Sequence, residues 1–488
     1  MKELQLTEIL KSFDKEEVKS FRKFLSSPFN RSRRNTGILL DHVIQFYPEF
    51  ESPKYVKETV FTKLFPDEEY TEKKIMNFIF DLTESAKDFL MLNTLFSSKT
   101  DSQIYTCRGL YNKKMLNQCM KLLIKTEAEL VSGFSSRKDF FARKKKILSM
   151  KIGFYIANND FANMKKMQNE FYELSAIQFI IDYTWMRCAD HTSAYSIFEK
   201  GKNKVIESIS NSFEIDKLLK LTEKFDKNLK HLTELHYFIL KTVNEPRNPE
   251  NYYLLKKIFL RDAGSYDREE KFQILSHLIN FCGENIVDYG EDFAKEMLDI
   301  YKLMLEYNAF SYSESEHLLF SDYRNMLMLS VTYFDTEFIN KLIKDYFNFL
   351  KHDQQKDVIP FSYSYLYFLE GEFHKCLEMI SEVERNDFGL KFDLRTLKLL
   401  SYYELDYTEQ VYSLIDSYKH YIKNSKEANN ARRKSKKLLL DALLILMKIK
   451  TGNDLNRIPQ LNNEVKKLNV WLQKWFNDKI NGLIKINK

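Results

Sequence analysis

The chain has 488 residues, 44% of them apolar, with 75 Lys+Arg against 69 Asp+Glu and a formal charge of +6. That apolar content excludes a disordered chain. Only 12 Gly and 8 Pro occur, against roughly 34 and 24 at average usage, which excludes turn-rich sandwiches, barrels and doubly wound sheets. Residues 1–97 read as a helical module. Asp14 caps a helix carrying Val18, Phe21, Phe24 and Leu25 on one face, stopped at Ser27-Pro28. A second helix is predicted over Thr36 to Tyr47. A third starts from the Ser52-Pro53 cap and ends at Phe65-Pro66. Ile75, Phe78, Leu82, Phe89, Leu92 and Phe96 then recur at helical spacing and predict one apolar stripe.

Residues 103–320 read as an irregular helical array. Breaks are expected at Ser132–Ser136, Asn158–Asp160, Asn244–Pro249, Gly264 and Gly283, and further on at His352–Pro360 and Arg385–Gly389. Within 321–420 the chain repeats itself. Glu370-Gly371-Glu372-Phe373 superposes on Glu404-Leu405-Asp406-Tyr407 at an offset of 34, with Leu366 over Leu400 and Leu377 over Val411. Asp335-Thr336-Glu337-Phe338 places its aromatic 35 residues before Phe373. A 34-residue period with a small or polar turn and then an aromatic resembles the tetratricopeptide helix pair. Ser364, Tyr367, Gly371, Phe373, Cys376 and Ile380 stand at the positions of that pattern, whereas Gln410 and Lys341 depart from its second small residue. The whole chain also resembles a group of bacterial helical proteins, mostly of unassigned function. That resemblance rests on Phe21–Pro28, Gln45-Phe46-Tyr47-Pro48, Lys63-Leu64-Phe65-Pro66, Glu370–Phe373 and Ser401–Leu405. It implies an all-α, irregular tetratricopeptide-like array and conveys no chemistry.

Residues 421–488 form a basic helical end. Over 419–488 the chain holds 17 Lys+Arg and 5 Asp+Glu, so the rest of the chain is net acidic. Arg432, Arg433, Lys434, Lys436 and Lys437 are candidate anion contacts, and Arg143-Lys144-Lys145-Lys146 is a second basic run. If the repeats form a curved array, Tyr365, Phe368, Arg395 and Tyr402 are candidates for a peptide-binding inner face, with packing between helices as the competing role.

No chemistry of catalysis is expected. No two glycines stand closer than Gly283 and Gly290, so neither a dinucleotide fingerprint nor a phosphate loop is present. Cys188-Ala189-Asp190-His191 and His374-Lys375-Cys376 lack a second metal-ligand pair, and His231 and His236 fall on different faces of a helix. There is no nucleophile elbow. Carboxylate pairs such as Glu314/Glu316 and Asp267/Glu269 read as solvated surface. The expectation is therefore no catalytic residues, no cofactor and no metal. Five cysteines fit free buried thiols in a reducing cytoplasm, and neither a leader segment nor a membrane span is expected. The expected function is a non-enzymatic scaffold binding a protein or peptide. The alternative is a regulator contacting nucleic acid through its basic end.

Overall fold

The computed structural model describes residues 1–488 except 33, 133–136, 196–202, 213–216, 218–226, 314–315, 385–387, 425–429, 453 and 487–488. The expected breaks at Ser132–Ser136 and Arg385–Gly389, together with Arg33 and Glu314, therefore lie wholly or partly outside the described residues. Among the described residues the protein is all-α, a succession of helices with no strand. It divides into two compact units, Met1–Ala176 and Ile177–Lys488.

The N-terminal unit begins with α1 (Gln5–Ser12), α2 (Lys15–Leu25), α3 (Thr36–Val43), α4 (Lys57–Leu64) and α5 (Glu72–Ser97). Asp14 opens α2 with a reciprocal capping box. Its carboxylate accepts from the Glu16 and Glu17 amides, and the Glu17 carboxylate accepts from the Asp14 amide. Phe21 and Phe24 then pack with Phe13 and Phe89 at ring-centroid distances of 5.4–6.4 Å.

Three expectations change here. The second helix tightens into a 3-10 turn over Ile44–Phe46 instead of running on to Tyr47. Ser52-Pro53 caps nothing: the Lys54 amide donates to Ser52 Oγ and the Tyr55 amide to the Ser52 carbonyl, so a turn forms and α4 starts only at Lys57. Along α5 the buried stripe is Ile75, Ile79, Leu82, Ala86 and Phe89, while Phe96 is 69% exposed because the module's core ends at Phe89. Of the arginines after Pro28, Arg34 pairs with Asp81 and Arg31 with Asp88.

A second core forms where α6 (Lys99–Asn112), α7 (Leu116–Ser132) and α8 (Arg137–Ala157) pack around Cys107, Cys119, Leu123 and Ile147. The helix α9 (Phe161–Tyr195) contains the boundary between the units.

The C-terminal unit comprises α10 (Lys204–Ser212), α11 (Lys227–Asn244), α12 (Pro249–Asp262), α13 (Arg268–Tyr289), α14 (Glu291–Glu306), α15 (Phe320–Tyr333), α16 (Thr336–Lys341), α17 (His352–Leu369), α18 (Phe373–Glu382), α19 (Phe388–Glu404), α20 (Thr408–Asn424), α21 (Asn430–Gly452), α22 (Ile458–Val465) and α23 (Val470–Ile486). Sequence neighbours pack on one another, α13 on α14, α17 on α18 and α19 on α20, around one continuous core. Two expected breaks are helix. Gly283 lies inside α13, and α17 runs from His352 straight through Pro360. Burial of Val358, Phe361, Ser362 and Tyr365 outweighs the single backbone bond that Pro360 forfeits.

Three helix-ending turns of this unit share one backbone geometry. Phe334, Gly371 and Asp406 have positive φ, and the following amides reach back to close the helix: Asp335 to Ser330, Glu372 to Tyr367 and Tyr407 to Tyr402, at 2.8–3.0 Å. These residues are 37 and 35 positions apart, as are the helix starts Thr336, Phe373 and Thr408. The 34-residue superposition is thereby corrected. It aligned aromatic side chains, whereas the backbone aligns the residue that turns left-handed. In the corrected register Phe368 corresponds to Tyr403 and Cys376 to Val411, all four buried.

Candidate binding surfaces

The face formed by α15, α17 and α19 carries two of the four candidate peptide contacts, and a segment of the same chain covers it. Tyr365 and Phe368 are 1% and 6% exposed. Both pack edge-on against Trp471 of α23, at 6.1 and 5.9 Å. One turn further along α23, Trp475 meets Tyr403 at 5.2 Å. Phe368 and Tyr403 each stand three residues before a left-handed turn residue, and they receive tryptophans four apart, on one side of a helix. Tyr365 and Phe368 therefore do not line an open groove. They take the competing role, packing between helices, with α23 as the covering element.

The polar contacts of α23 are as specific as its apolar ones. The Trp475 indole N–H donates to Glu404 Oε1 at 2.7 Å, and the Lys479 ammonium bonds Glu404 Oε2 at 2.7 Å. The Lys474 ammonium sits 3.9 Å from the Phe334 ring centroid, at the end of α15. Beneath this layer, Arg324 of α15 donates through Nε to Asp393 of α19 at 2.7 Å, tying the two helices together. Burial, with the Asp393 charge beside it, pushes the Tyr365 hydroxyl well above the ordinary tyrosine range. The other two candidates are not brought to this layer. Arg395 stacks on Tyr421 of α20 at 4.5 Å, and Tyr402 packs on Tyr407 in the turn at 6.0 Å. Trp471, Trp475 and Lys479 were not singled out from the sequence, and Glu404 was read only as part of a turn. The signal was present: two of three tryptophans stand four apart, with a lysine four further on.

The basic end is partly spent inside the unit. Lys436 donates to Thr396 Oγ1 at 3.1 Å, and Arg433 to the Lys423 carbonyl at 3.4 Å. Lys450 pairs with Asp406. Lys434 and Lys437 are exposed at the start of α21, and the side chain of Arg432 lies outside the described residues. The second basic run is split. Arg143 grips Asp101 at 2.6 Å, and Lys144 pairs with Glu127 and with Glu170, the latter at 2.9 Å.

Residues distant in sequence also gather a polar group in the core. Thr242 Oγ1 donates to the Ile239 carbonyl, so His277 Nε2, 2.7 Å away, donates to that hydroxyl, which fixes a neutral tautomer. Nearby, His191 Nε2 lies 3.3 Å from Glu284 Oε2, with Cys188 alongside. Burial, reinforced by the His191 charge, lowers the His277 pKa to about 4 from 6.5. Burial raises Glu284 and pushes Cys188 up to about 12. The cavity beside these groups is about 10 Å³, too small for a reactant. Among the described residues no group of three or more His, Cys, Asp or Glu is placed to hold a metal ion. The five cysteines are free and buried, and among the described residues no helix is long and apolar enough to cross a membrane. Asp267, weighed as half of a carboxylate pair with Glu269, is the cap of α13.

His277 makes the folded state resist protonation. Its folded pKa lies below its unfolded value, so its contribution is complete above pH 6.5 and is lost as the pH falls toward about 4. That loss amounts to about 3 kcal/mol. Urea unfolding at pH 7 and at pH 4 is expected to show it in the wild type and not in His277→Gln. Equal acid sensitivity of the two chains would refute the assignment.

Comparison of the chain with protein-family models, with curated proteins and with solved structures finds no match.

Proposed function

We propose that the protein is a non-enzymatic cytoplasmic scaffold whose tetratricopeptide-like C-terminal array holds an amphipathic helix on the face built by α15, α17 and α19. One observation carries this reading: the chain's own α23 is seated there by two tryptophans and by an indole and an ammonium that share one carboxylate. A helix laid into a groove by anchors four residues apart is a recurring mode of protein recognition. The partner is accordingly a helix with two aromatic residues four apart and a lysine four further on, and α23 is the occupant it displaces. The free, buried cysteines support a reducing compartment. Contact with nucleic acid through Lys434 and Lys437 is the second reading, favoured only by their exposure.

The test uses a fluorescent peptide of residues 468–486 and the full chain carrying Trp475→Ala, which loosens α23. Saturable binding to this chain, weakened when Glu404→Gln is added, is the expected result. Lys479→Ala, a milder release, serves if the first variant loses helicity by circular dichroism. Absence of peptide binding to either released chain would end the proposal.

A further inference from the structure

The N-terminal unit holds an open cleft of about 590 Å³ between α6 and α8, with Phe171 of α9 also in its lining. This volume lies within the range of small-molecule sites. The cleft follows from helical spacing. Tyr105, Arg108 and Tyr111 recur every three residues along α6, and Lys145 and Lys146 face them from α8. Gly153 permits the wall to form: a Cβ there would stand 3.0 Å from the Tyr111 hydroxyl.

The charge of the cleft is one-sided. Its lining contains three cations and no carboxylate. Three other cations of α8 are neutralised, Arg143 by Asp101, Lys144 by Glu127 and Glu170, and Lys151 by Glu127. Arg108, Lys145 and Lys146 are in no ion pair among the described residues, and Lys146 acts on Asp101 only as a more distant charge behind Arg143. Tyr105 and Tyr111, on either side of Arg108, are 52% and 37% exposed. A guanidinium and two ammonium groups suit a phosphate, and exposed tyrosine rings suit the face of a base. A nucleic-acid strand would need a track of such contacts, and Arg143, Lys144 and Lys151, which would extend it along α8, are already engaged.

We propose that this cleft binds a nucleoside phosphate, its phosphates on Arg108, Lys145 and Lys146 and its base against a tyrosine ring. Calorimetric titration of the full chain at low salt, with adenosine diphosphate, inorganic phosphate and a short oligothymidylate in turn, tests this. The expected result is one adenosine diphosphate per chain, with inorganic phosphate weaker and affinity falling as salt rises. Arg108→Gln is expected to weaken the nucleotide about tenfold or more, the scale of one charge-assisted contact. Tyr105→Ala is expected to weaken the nucleotide and leave inorganic phosphate unaffected. All these side chains sit at the surface, and circular dichroism checks that the variants fold; Lys146→Gln is the reserve substitution. No heat of binding with the nucleotide would overturn the proposal, as would full affinity in both Arg108→Gln and Lys146→Gln. Inorganic phosphate binding as tightly as the nucleotide would overturn the role of the rings. Oligothymidylate binding more tightly than the nucleotide would overturn the small-ligand assignment.

Discussion

Glu127→Ala is expected to destabilise the N-terminal unit by about 3–5 kcal/mol, the cost of leaving a buried charge without its partner. Glu127 is the common acceptor of Lys144 and Lys151, whose side chains are only 11% and 9% exposed. Its removal strands both ammonium groups against α7, with Glu170 left to serve Lys144 alone. Burial by itself would raise the Glu127 pKa, yet the bonds from Lys144 and Lys151 outweigh it and hold the carboxyl below the usual 4.5. The contribution is therefore complete above pH 4.5 and is lost as the pH falls through the lowered folded value. Thermal unfolding at neutral pH measures the effect, and a loss under about 1 kcal/mol would show that the triad is relaxed by water. Replacing all three residues with apolar ones of similar volume should cost far less, because no charge is then left behind.

Trp475→Ala is the second large effect, about 3–5 kcal/mol for truncating a large buried ring. Trp475 is 7% exposed and packs on Tyr403 and Phe476, and its N–H satisfies Glu404. Because α23 is held by its contacts with α17, α19 and the end of α15, the loss falls on its docking before it falls on the rest of the unit. Hydrogen exchange should therefore accelerate over 470–486 while α13 and α14 stay protected. Trp475→Phe keeps an aromatic ring while losing the hydrogen bond and part of the indole's volume, so it should cost less than the alanine change. Uniform acceleration across the whole unit in Trp475→Ala would mean that α23 is inseparable from the core.

Local chemistry was legible in the sequence, and distant pairing was not. Asp14 with Glu17 three residues later announces a helix start without reference to any other part of the chain, and the structure has it. The scarcity of Gly and Pro likewise reads directly as helix. The repeat register failed because an aromatic and a left-handed backbone can occupy neighbouring positions: Tyr407 and Phe373 draw the eye, but Asp406 and Gly371 make the turns. Phe96 obeys the α5 period and still faces solvent, since a period describes one helix and says nothing of whether another element lies over its end. Tyr365 and Phe368 were read as residues of α17 that either face a groove or pack between helices, and the structure buries both. What the face meets was hidden, because Trp471 comes from a helix that begins about a hundred residues later. The same distance conceals His277, whose neighbours Thr242 and His191 belong to two other helices.

The placement of α23 also sets an order in time. A ribosome emits the array from one end, so α15, α17 and α19 leave the exit tunnel before the segment that shields them. Trp475 follows Glu404 by 71 residues, which at about 5–20 residues per second is a delay of roughly 4–14 s. During that interval Tyr365, Phe368 and Tyr403 of the nascent chain form a bare aromatic surface in a crowded solution. Chaperones that recognise exposed apolar segments should therefore engage the nascent chain once α19 has emerged and release it when α23 arrives.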